Sequence, residues 1–349
     1  MDSQQLATYV SIQARKRINQ LKANKMLIRR IMMIKEDIKI PVDYGRIEIA
    51  ATVEKPGDEK NSDVLIVMIP GSGPVNRDGN MRGMRASIYQ QLADALVQSG
   101  FATLRYDKIG VGESTGDFNR AGLDDAVQCV SDIIDYCNSS EDMAFTKIFL
   151  LGHSEGTIIA TLSASRKQVD GIILLCGAGT SLKSVITSQN ESLLSEIARK
   201  SGFAGALLRK LVSPEKQRLK QKKLFDKVMQ TNKATVRISG QIVQAKWLRE
   251  HLFLNDQQIL QLLSSLTCKV LAIYGSKDVQ SPIKPFYHLK NLDLDHVQTV
   301  MIDDMNHMLK KQKEACTLLA LKKIYKKSAN EPIVSELVDE IKNWLQAVR

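Results

Sequence analysis

The most constraining feature of the chain is a short apolar strand pattern that runs directly into a glycine-flanked serine. Residues 147–156 read Lys-Ile-Phe-Leu-Leu-Gly-His-Ser-Glu-Gly, and an apolar helix pattern begins at about Thr157. Gly152 and Gly156 leave room for a serine at the tip of a sharp strand-to-helix turn. We therefore predict that Ser154 is raised above the end of a sheet, with the positive end of a helix dipole behind it.

Two side chains farther along the chain are the partners that a reactive serine needs. A serine hydroxyl requires a positioned base, usually histidine, and a buried carboxylate that orients the imidazole. Asp278 follows the apolar run 270–274, and His307 follows the run 297–302. Both come after late strands in the chain order Ser, Asp, His. We predict that Ser154 is the nucleophile, His307 the base and Asp278 the orienting acid.

The other histidines and the nearby acids fit these roles less well. Asp303 and Asp304 are too close to His307 in sequence to reach its Nδ1 easily. His153 belongs to the serine turn and is predicted to point away from Ser154. The remaining histidines lie in a helical insertion, in a helix pattern and before a strand: His251, His288 and His296.

A glycine-rich turn follows the buried strand pattern at residues 64–69 and reads Pro-Gly-Ser-Gly-Pro. Such a turn exposes backbone N–H groups that can stabilise an oxyanion. We predict the N–H of Ser72 as one donor, with Gly73 as the second choice, and the N–H of Glu155 as the other. A plain tight turn remains an alternative. A phosphate loop is disfavoured because no Gly-Lys-Ser/Thr follows.

Apolar strand patterns alternate with amphipathic helix patterns over most of the chain. The strand patterns after residue 60 are 64–69, 102–106, 148–151, 172–176, 270–274 and 297–302. Alternating apolar residues at 38–42 and 47–53 predict a β-hairpin before them. The arrangement predicts an α/β fold with a mostly parallel central sheet and helices on both faces. A lysine-rich helical insertion is predicted at 309–328, and a final amphipathic helix at 334–348.

The alternation stops between residues 179 and 266, where the chain is helical in pattern. Residues 181–266 carry fifteen Lys/Arg against six Asp/Glu. An insertion after this strand lies beside the carboxyl ends of the strands, where open α/β sheets bind ligands. We therefore predict a helical cap at 179–266, inserted between the core segments 38–178 and 267–349.

Residues 1–37 form a basic segment that is predicted to be helical, with eight Lys/Arg and two Asp/Glu among residues 1–36. Packing on the core is the default interpretation, while binding to a membrane surface and dimerisation stay open. The segment has no apolar h-region or cleavage site, so no secretory signal is predicted. No apolar run is long enough to span a bilayer.

The chain is basic overall, with a formal net charge of +11. Aromatic residues do not alternate with the basic ones and no nucleic-acid-binding signature occurs, so nucleic acid is not an expected partner. The five cysteines are scattered without metal-ligand spacing: Cys129, Cys137, Cys176, Cys268 and Cys316. They predict free thiols in a reducing, cytoplasmic setting and no metal site.

A set of motifs also carries a family resemblance. The motifs are Pro70-Gly-Ser-Gly-Pro74 with Arg77-Asp-Gly-Asn80, Arg105-Tyr-Asp-Lys108 with Gly110-x-Gly112-x-Ser114, Gly152-His-Ser-Glu-Gly156, Tyr274-Gly-x-x-Asp278 and Asn306-His307. From about residue 38 onward the chain resembles bacterial α/β-hydrolase carboxylesterases, which are related to dienelactone hydrolases and prolyl-oligopeptidase-like serine hydrolases. The resemblance implies an α/β-hydrolase fold with a helical cap and activity on short to medium acyl esters.

These observations predict a serine carboxylesterase that acts on a small-molecule ester through an acyl-enzyme, without a metal or organic cofactor. A peptidase or acyl-peptide hydrolase, a thioesterase and a lactonase use the same three side chains and stay open as alternatives. A catalytically silent hydrolase fold that binds a ligand is the non-enzymatic alternative. The oligomeric state is left open, with a dimer as one possibility.

Overall fold

The computed structural model describes residues 33–57, 63–143 and 145–348. It begins with an antiparallel hairpin of β1 (Ile34–Val42) and β2 (Ile47–Lys55). Residues 34–37 therefore belong to an edge strand, which corrects their assignment to the N-terminal helical segment. Each of them pairs with β2, and this pairing satisfies backbone groups that a helix would otherwise satisfy locally. The rest of that segment, residues 1–32, lies outside the described residues.

The elements up to the strand after the serine turn are β3 (Val64–Ile69), β4 (Asn80–Met81), β5 (Met84–Arg85), α1 (Ile88–Gln98), β6 (Ala102–Tyr106), α2 (Leu123–Ser139), β7 (Lys147–His153), α3 (Glu155–Arg166) and β8 (Gly171–Leu175). Those that follow are α4 (Leu182–Arg199), α5 (Gly202–Leu211), α6 (Pro214–Met229), β9 (Thr235–Ile238), β10 (Gln241–Gln244), α7 (Ala245–Leu252), α8 (Asp256–Ser265), β11 (Lys269–Gly275), α9 (Lys284–Asn291), β12 (Val297–Ile302), α10 (Leu321–Ser328) and α11 (Ser335–Val348).

Eight strands form one central sheet in the order β1-β2-β6-β3-β7-β8-β11-β12. From β6 to β12 in that order, consecutive strands are parallel to one another, whereas β2 is antiparallel to both β1 and β6. This confirms the predicted mostly parallel sheet. Because the carboxyl ends of parallel strands meet at one edge, the loops after β3, β7, β11 and β12 converge there.

Helices cover both faces of the sheet because its central strands are apolar on both sides. In β3, Leu65 and Val67 pack into the core beneath α2, α3, α8 and α9, and Ile66 and Met68 pack into the core beneath α1 and α11. A strand buried on both faces has no polar alternation, which is why β3 is a continuous apolar run. None of the helices in the described part of the chain combines the length and apolar character needed to cross a membrane.

The insertion at 179–266 contains α4 to α8, but it is not entirely helical as predicted. Strands β9 and β10 form a hairpin within it. Ser239 and Gly240 both have positive φ values, 50° and 80°, as a two-residue hairpin turn of type I′ requires. The β-branched residues Thr235, Val236 and Ile238 before this Ser-Gly pair were the sequence signal for the hairpin.

The predicted helical insertion at 309–328 is also only partly helical, because α10 begins at Leu321. Before it, the chain is held in an irregular path by Lys310, whose side chain is fully buried. Its ammonium donates to the carbonyl oxygens of Ala86, Ala329 and Glu331. A buried ammonium must be surrounded by acceptors, and here backbone carbonyls from two distant segments serve that purpose.

Candidate active site

Ser154 lies at the tip of the turn between β7 and α3, with φ 56° and ψ −119°. This is a strained conformation for a residue with a side chain. A Cβ at Gly152 would lie 2.2 Å from the carbonyl oxygen of Gly156, and a Cβ at Gly156 would lie 2.3 Å from that of Ile69. Only glycine therefore fits on either side of the serine. Helix α3 begins at Glu155, two residues earlier than predicted, so its positive end lies directly at Ser154.

The structure brings together the three side chains that the sequence selected. Nε2 of His307 lies 3.0 Å from Oγ of Ser154, and Nδ1 of His307 lies 2.8 Å from Oδ2 of Asp278. The side chain of Asp278 is fully buried. Its other oxygen accepts hydrogen bonds from the backbone N–H groups of Gln280 and Ser281, at 2.8 and 3.2 Å. The carboxylate is thus held in one orientation toward the imidazole.

The competing acids and histidines lie elsewhere. Asp303 is exposed, and Asp304 lies 3.8 Å from the ammonium of Lys277. His288 is exposed on α9, and Nε2 of His296 lies 3.0 Å from the carbonyl oxygen of Leu263. None of these four described side chains forms a hydrogen bond or an ion pair with Ser154 or His307.

The loop after β3 passes beside the serine, since a Cβ at Gly71 would lie 3.1 Å from Cβ of Ser154. Within the described residues, the backbone N–H groups of Ser72 and Glu155 have no acceptor. Ser72 lines a cavity of about 510 Å³ together with Ser154 and His307, whereas Gly73 lines a separate cavity of about 180 Å³. This arrangement favours Ser72 over Gly73 as an oxyanion donor.

His153 and Tyr89 form a buried relay that sequence reasoning missed. Nε2 of His153 lies 2.9 Å from the backbone carbonyl oxygen of His307, which can only accept, so Nε2 carries a proton. Nδ1 of the neutral ring therefore accepts from the hydroxyl of Tyr89, at 3.0 Å. That hydroxyl accepts in turn from the N–H of Gly71, at 2.8 Å. The relay links the loop after β3 to the backbone of His307.

This relay predicts a specific loss of stability in acid. Burial, with the charge of His307, lowers the pKa of His153 from its ordinary 6.5 to about 3. Because the folded pKa is depressed, the contribution to stability is complete above pH 6.5 and is lost as the pH falls below that value. The expected loss is about 2 kcal/mol between pH 7 and pH 5. Urea unfolding of the wild type and of His153→Gln at both pH values measures it. The variant should lose about 2 kcal/mol less than the wild type, and equal losses would contradict the prediction.

The side chain of Glu155 joins the serine turn to the insertion. Its Oε1 accepts from Nε1 of Trp247 at 2.5 Å and from Nε2 of His251 at 2.9 Å, both on α7. Burial alone would raise the pKa of Glu155, but the hydrogen bond from His251 and the charge of Lys108 outweigh it and hold the pKa at about 2. The side chain of Glu155 is therefore an ionised group that fastens α7 to the serine turn. The sequence predicted a role only for the backbone N–H of this residue.

One group of side chains has the spacing of a metal site: His153, Cys176 and His307, whose ligand atoms lie within 4.8 Å of one another. Every ring nitrogen of the two histidines already has a hydrogen-bond partner. Burial also raises the pKa of the Cys176 thiol, which disfavours the thiolate that a metal would need. These groups are better suited to the hydrogen-bond network than to a metal ion.

The family described as serine aminopeptidase, S33 (Hydrolase_4), matches residues 82–314. The chain belongs to this hydrolase family. The matched range includes Ser154, Asp278 and His307, while Ser72 precedes it.

Esterase EstD of Thermotoga maritima is 23% identical over 286 residues, covering 80% of this chain and 61% of that protein. Among solved structures, Est1E from Butyrivibrio proteoclasticus with bound ferulic acid has a TM-score of 0.52 and 18% identity, covering 84% of this chain and 98% of that one. The esterase PF2001 of Pyrococcus furiosus has a TM-score of 0.53 and 10% identity, covering 91% and 93%. The predicted α/β-hydrolase fold is confirmed.

Proposed function

We propose that the protein is a serine carboxylesterase. The observation that carries this proposal is the continuous hydrogen-bonded chain from Ser154 through His307 to Asp278, beside two backbone N–H groups that have no acceptor among the described residues. The similarity to a protein named as an esterase supports the ester as the substrate bond. Membership of a serine hydrolase family supports the same nucleophilic chemistry.

The proposed reaction has two halves. Oγ of Ser154 attacks the ester carbonyl carbon while Nε2 of His307 takes the hydroxyl proton, and Asp278 stabilises the resulting imidazolium. The carbonyl electron pair becomes an oxyanion that the N–H groups of Ser72 and Glu155 bind. Collapse of this intermediate breaks the bond to the alcohol, which receives the proton from His307. Water, deprotonated by His307, then releases the acid from the serine.

The cavity at Ser154 distinguishes an esterase from an aminopeptidase. Its walls are largely apolar, formed by Val75, Met81, Met84, Ile88, Met308 and Leu321. No Asp or Glu lies among its described lining residues. An aminopeptidase must bind the α-ammonium group of its substrate, and in a largely apolar cavity that charge needs a carboxylate partner. The lining therefore favours an acyl ester.

A panel of 4-nitrophenyl esters of increasing acyl length, run beside aminoacyl 4-nitroanilides, tests the proposal. We expect turnover of the esters with an optimum at short to medium acyl length. The kcat/KM for the anilides should be at least about 10²-fold lower, which corresponds to a difference of roughly 3 kcal/mol in transition-state binding. If the protein hydrolysed the anilides faster than the esters, the proposal of an esterase would be wrong and a peptidase would be the better assignment.

Three cations at the same cavity predict a preference for anionic esters. Arg82, Lys322 and Lys326 line it, and none has an acidic partner among the described residues. The test is the ratio of kcat/KM for 4-nitrophenyl hydrogen adipate to kcat/KM for 4-nitrophenyl hexanoate, which has the same acyl length. Changing all three cations to Gln should lower this ratio about fivefold, because each exposed pair contributes under about 1 kcal/mol.

The matched control changes Arg85, Lys323 and Lys327 to Gln, on the same hairpin and the same helix but outside the cavity lining. It removes equal charge and should leave the ratio unchanged. An equal fall in both triple variants would mean that overall charge, not the cavity, attracts the anion.

We also propose that residues 179–266 act as a cap over the cavity of about 180 Å³ beside Glu155, supported by the anchoring of α7 on Glu155 and by Gln244 and Trp247, which line that cavity. Among the described residues, none from this insertion lines the cavity at Ser154. A cytoplasmic location is proposed as well, supported by the absence of a disulfide among the five cysteines.

A further inference from the structure

Lys108 is a buried cation directly after β6 whose shortest contact is unexpected. Its side chain is only 12% exposed, and Nζ donates to the carbonyl oxygen of Gly71 at 2.6 Å. The carboxylate of Glu155 is farther away, with 4.0 Å between Nζ and Oε2. Burying an ammonium is costly and is normally compensated by a close carboxylate. Here the closest partner is a neutral peptide carbonyl on the loop beside Ser154.

That carbonyl belongs to the same peptide unit as the N–H of Ser72. In a trans peptide the C=O and the following N–H point in opposite directions. A cation that holds the carbonyl on one side therefore turns the N–H of Ser72 to the other side, where it has no acceptor among the described residues. A hydrogen bond from a charged donor also polarises the peptide, which strengthens its N–H as a donor.

The surroundings of Lys108 hold its backbone firmly. The carboxylate of the preceding residue, Asp107, accepts from the backbone N–H groups of Arg77 and Glu113, at 2.7 and 3.0 Å. It also accepts from the guanidinium of Arg77, at 2.9 Å. A Cβ at Gly112 would lie 2.3 Å from this carboxylate, so the loop closes tightly around it.

The loop after β3 is held from its other side as well. The N–H of Gly71 donates to the hydroxyl of Tyr89, while the C=O of Gly71 accepts from Lys108. The loop is thus fixed at both polar groups of one residue. Nζ of Lys108 also lies 4.0 Å from the carboxylate of Glu155, whose backbone supplies the other proposed donor.

We propose that Lys108 is a positioning residue for the oxyanion site. It fixes and polarises the peptide between Gly71 and Ser72, so that the N–H of Ser72 binds the oxyanion formed on the substrate. The inference rests on the proposed esterase function and adds to it a residue that does not touch the substrate.

The test is Lys108→Met, which keeps the length and apolar stem of the side chain and removes its donor and charge. Loss of a whole oxyanion donor costs about 10²–10³ in rate, so loss of its positioning should lower kcat by about 10–10²-fold. KM should stay within about threefold, because the oxyanion exists only after attack. The affinity for a trifluoromethyl ketone, which forms a tetrahedral adduct with the serine, should fall by the same factor as kcat. The affinity for the corresponding methyl ketone should not change.

Lys167→Met is the matched control, since it removes a lysine that is paired with Asp135 on the surface. It should leave both ketone affinities and kcat unchanged. A kcat of Lys108→Met within threefold of the wild type would overturn the inference. So would an equal loss of affinity for both ketones, which would indicate general disruption of the site.

Tyr89→Phe provides a second test if Lys108→Met does not fold. It releases the N–H of the same glycine and should show the same selective loss of trifluoromethyl ketone binding. Failure of the esterase proposal itself would appear differently, as no ester turnover and no covalent labelling of the wild type.

Discussion

Ser154→Ala is expected to lower kcat/KM for 4-nitrophenyl esters by about 10⁴–10⁶-fold, the range found when such a nucleophile is removed. The methyl group of alanine cannot form the acyl-enzyme, and His307 then has no hydroxyl to deprotonate. The backbone donors and the cavity remain, so a small residual rate above that in water should persist. Initial rates with the purified variant measure the loss, and a fluorophosphonate should label the wild type but not the variant.

Ser165→Ala is the matched control because this serine is exposed and lies on the same helix, α3, where its hydroxyl donates to the carbonyl oxygen of Leu162. It should be labelled and active like the wild type. Ester turnover by Ser154→Ala at the wild-type rate would show that the serine is not the nucleophile, and labelling of both variants would show that the probe reacts elsewhere.

Asp278→Asn is expected to lower kcat by about 10³–10⁴-fold with little change in fold. Oδ1 of Asp278 accepts two backbone N–H groups, so the oxygen of a carboxamide at this position should stay there. Its NH₂ group then faces Nδ1 of His307, which must accept and therefore cannot carry a proton. The proton moves to Nε2, and the ring can no longer take the proton of Ser154.

Asp303→Asn serves as the control, since it makes the same chemical change at an exposed acid close to His307 in sequence. Its kcat should be within about twofold of the wild type, as expected for a surface residue away from the site. A large loss of kcat at position 303 with little loss at position 278 would contradict the prediction. It would show that the acid that orients His307 lies in the loop after β12 and not in the loop after β11.

The sequence was sufficient for the sheet and for the choice of three side chains. Each lies in the loop or turn that follows an apolar strand, and the carboxyl ends of parallel strands share one edge. The local strand pattern therefore predicted that three side chains far apart in sequence lie close together in the fold. The structure places the imidazole of His307 within 3.0 Å of the hydroxyl of Ser154 and 2.8 Å of the carboxylate of Asp278. The catalytic roles of these side chains stay predictions.

Besides the assignment of residues 34–37, two local predictions were wrong because they were made without the neighbours of the segment. The chain after His307 is lysine-rich and helical in pattern, but the buried ammonium of Lys310 binds carbonyls from two distant segments, and the helix begins only at Leu321. The hairpin of β9 and β10 was missed because the surrounding helical pattern outweighed a short strand pattern and its Ser-Gly turn.

What the sequence by itself determined is the order of the central-sheet strands and of the helices between them, together with the polar residues that follow those strands, because strand and helix periodicity and the need for glycine are local properties. Only the tertiary structure decided which polar groups face one another across the chain. The hydroxyl of Tyr89 forms a hydrogen bond with His153, and the ammonium of Lys108 donates to the carbonyl oxygen of Gly71. The carboxylate of Glu155 accepts a hydrogen bond from Trp247 on α7. Hydrogen bonds and charge pairing depend on distances of a few ångströms between residues far apart in sequence, and packing sets those distances.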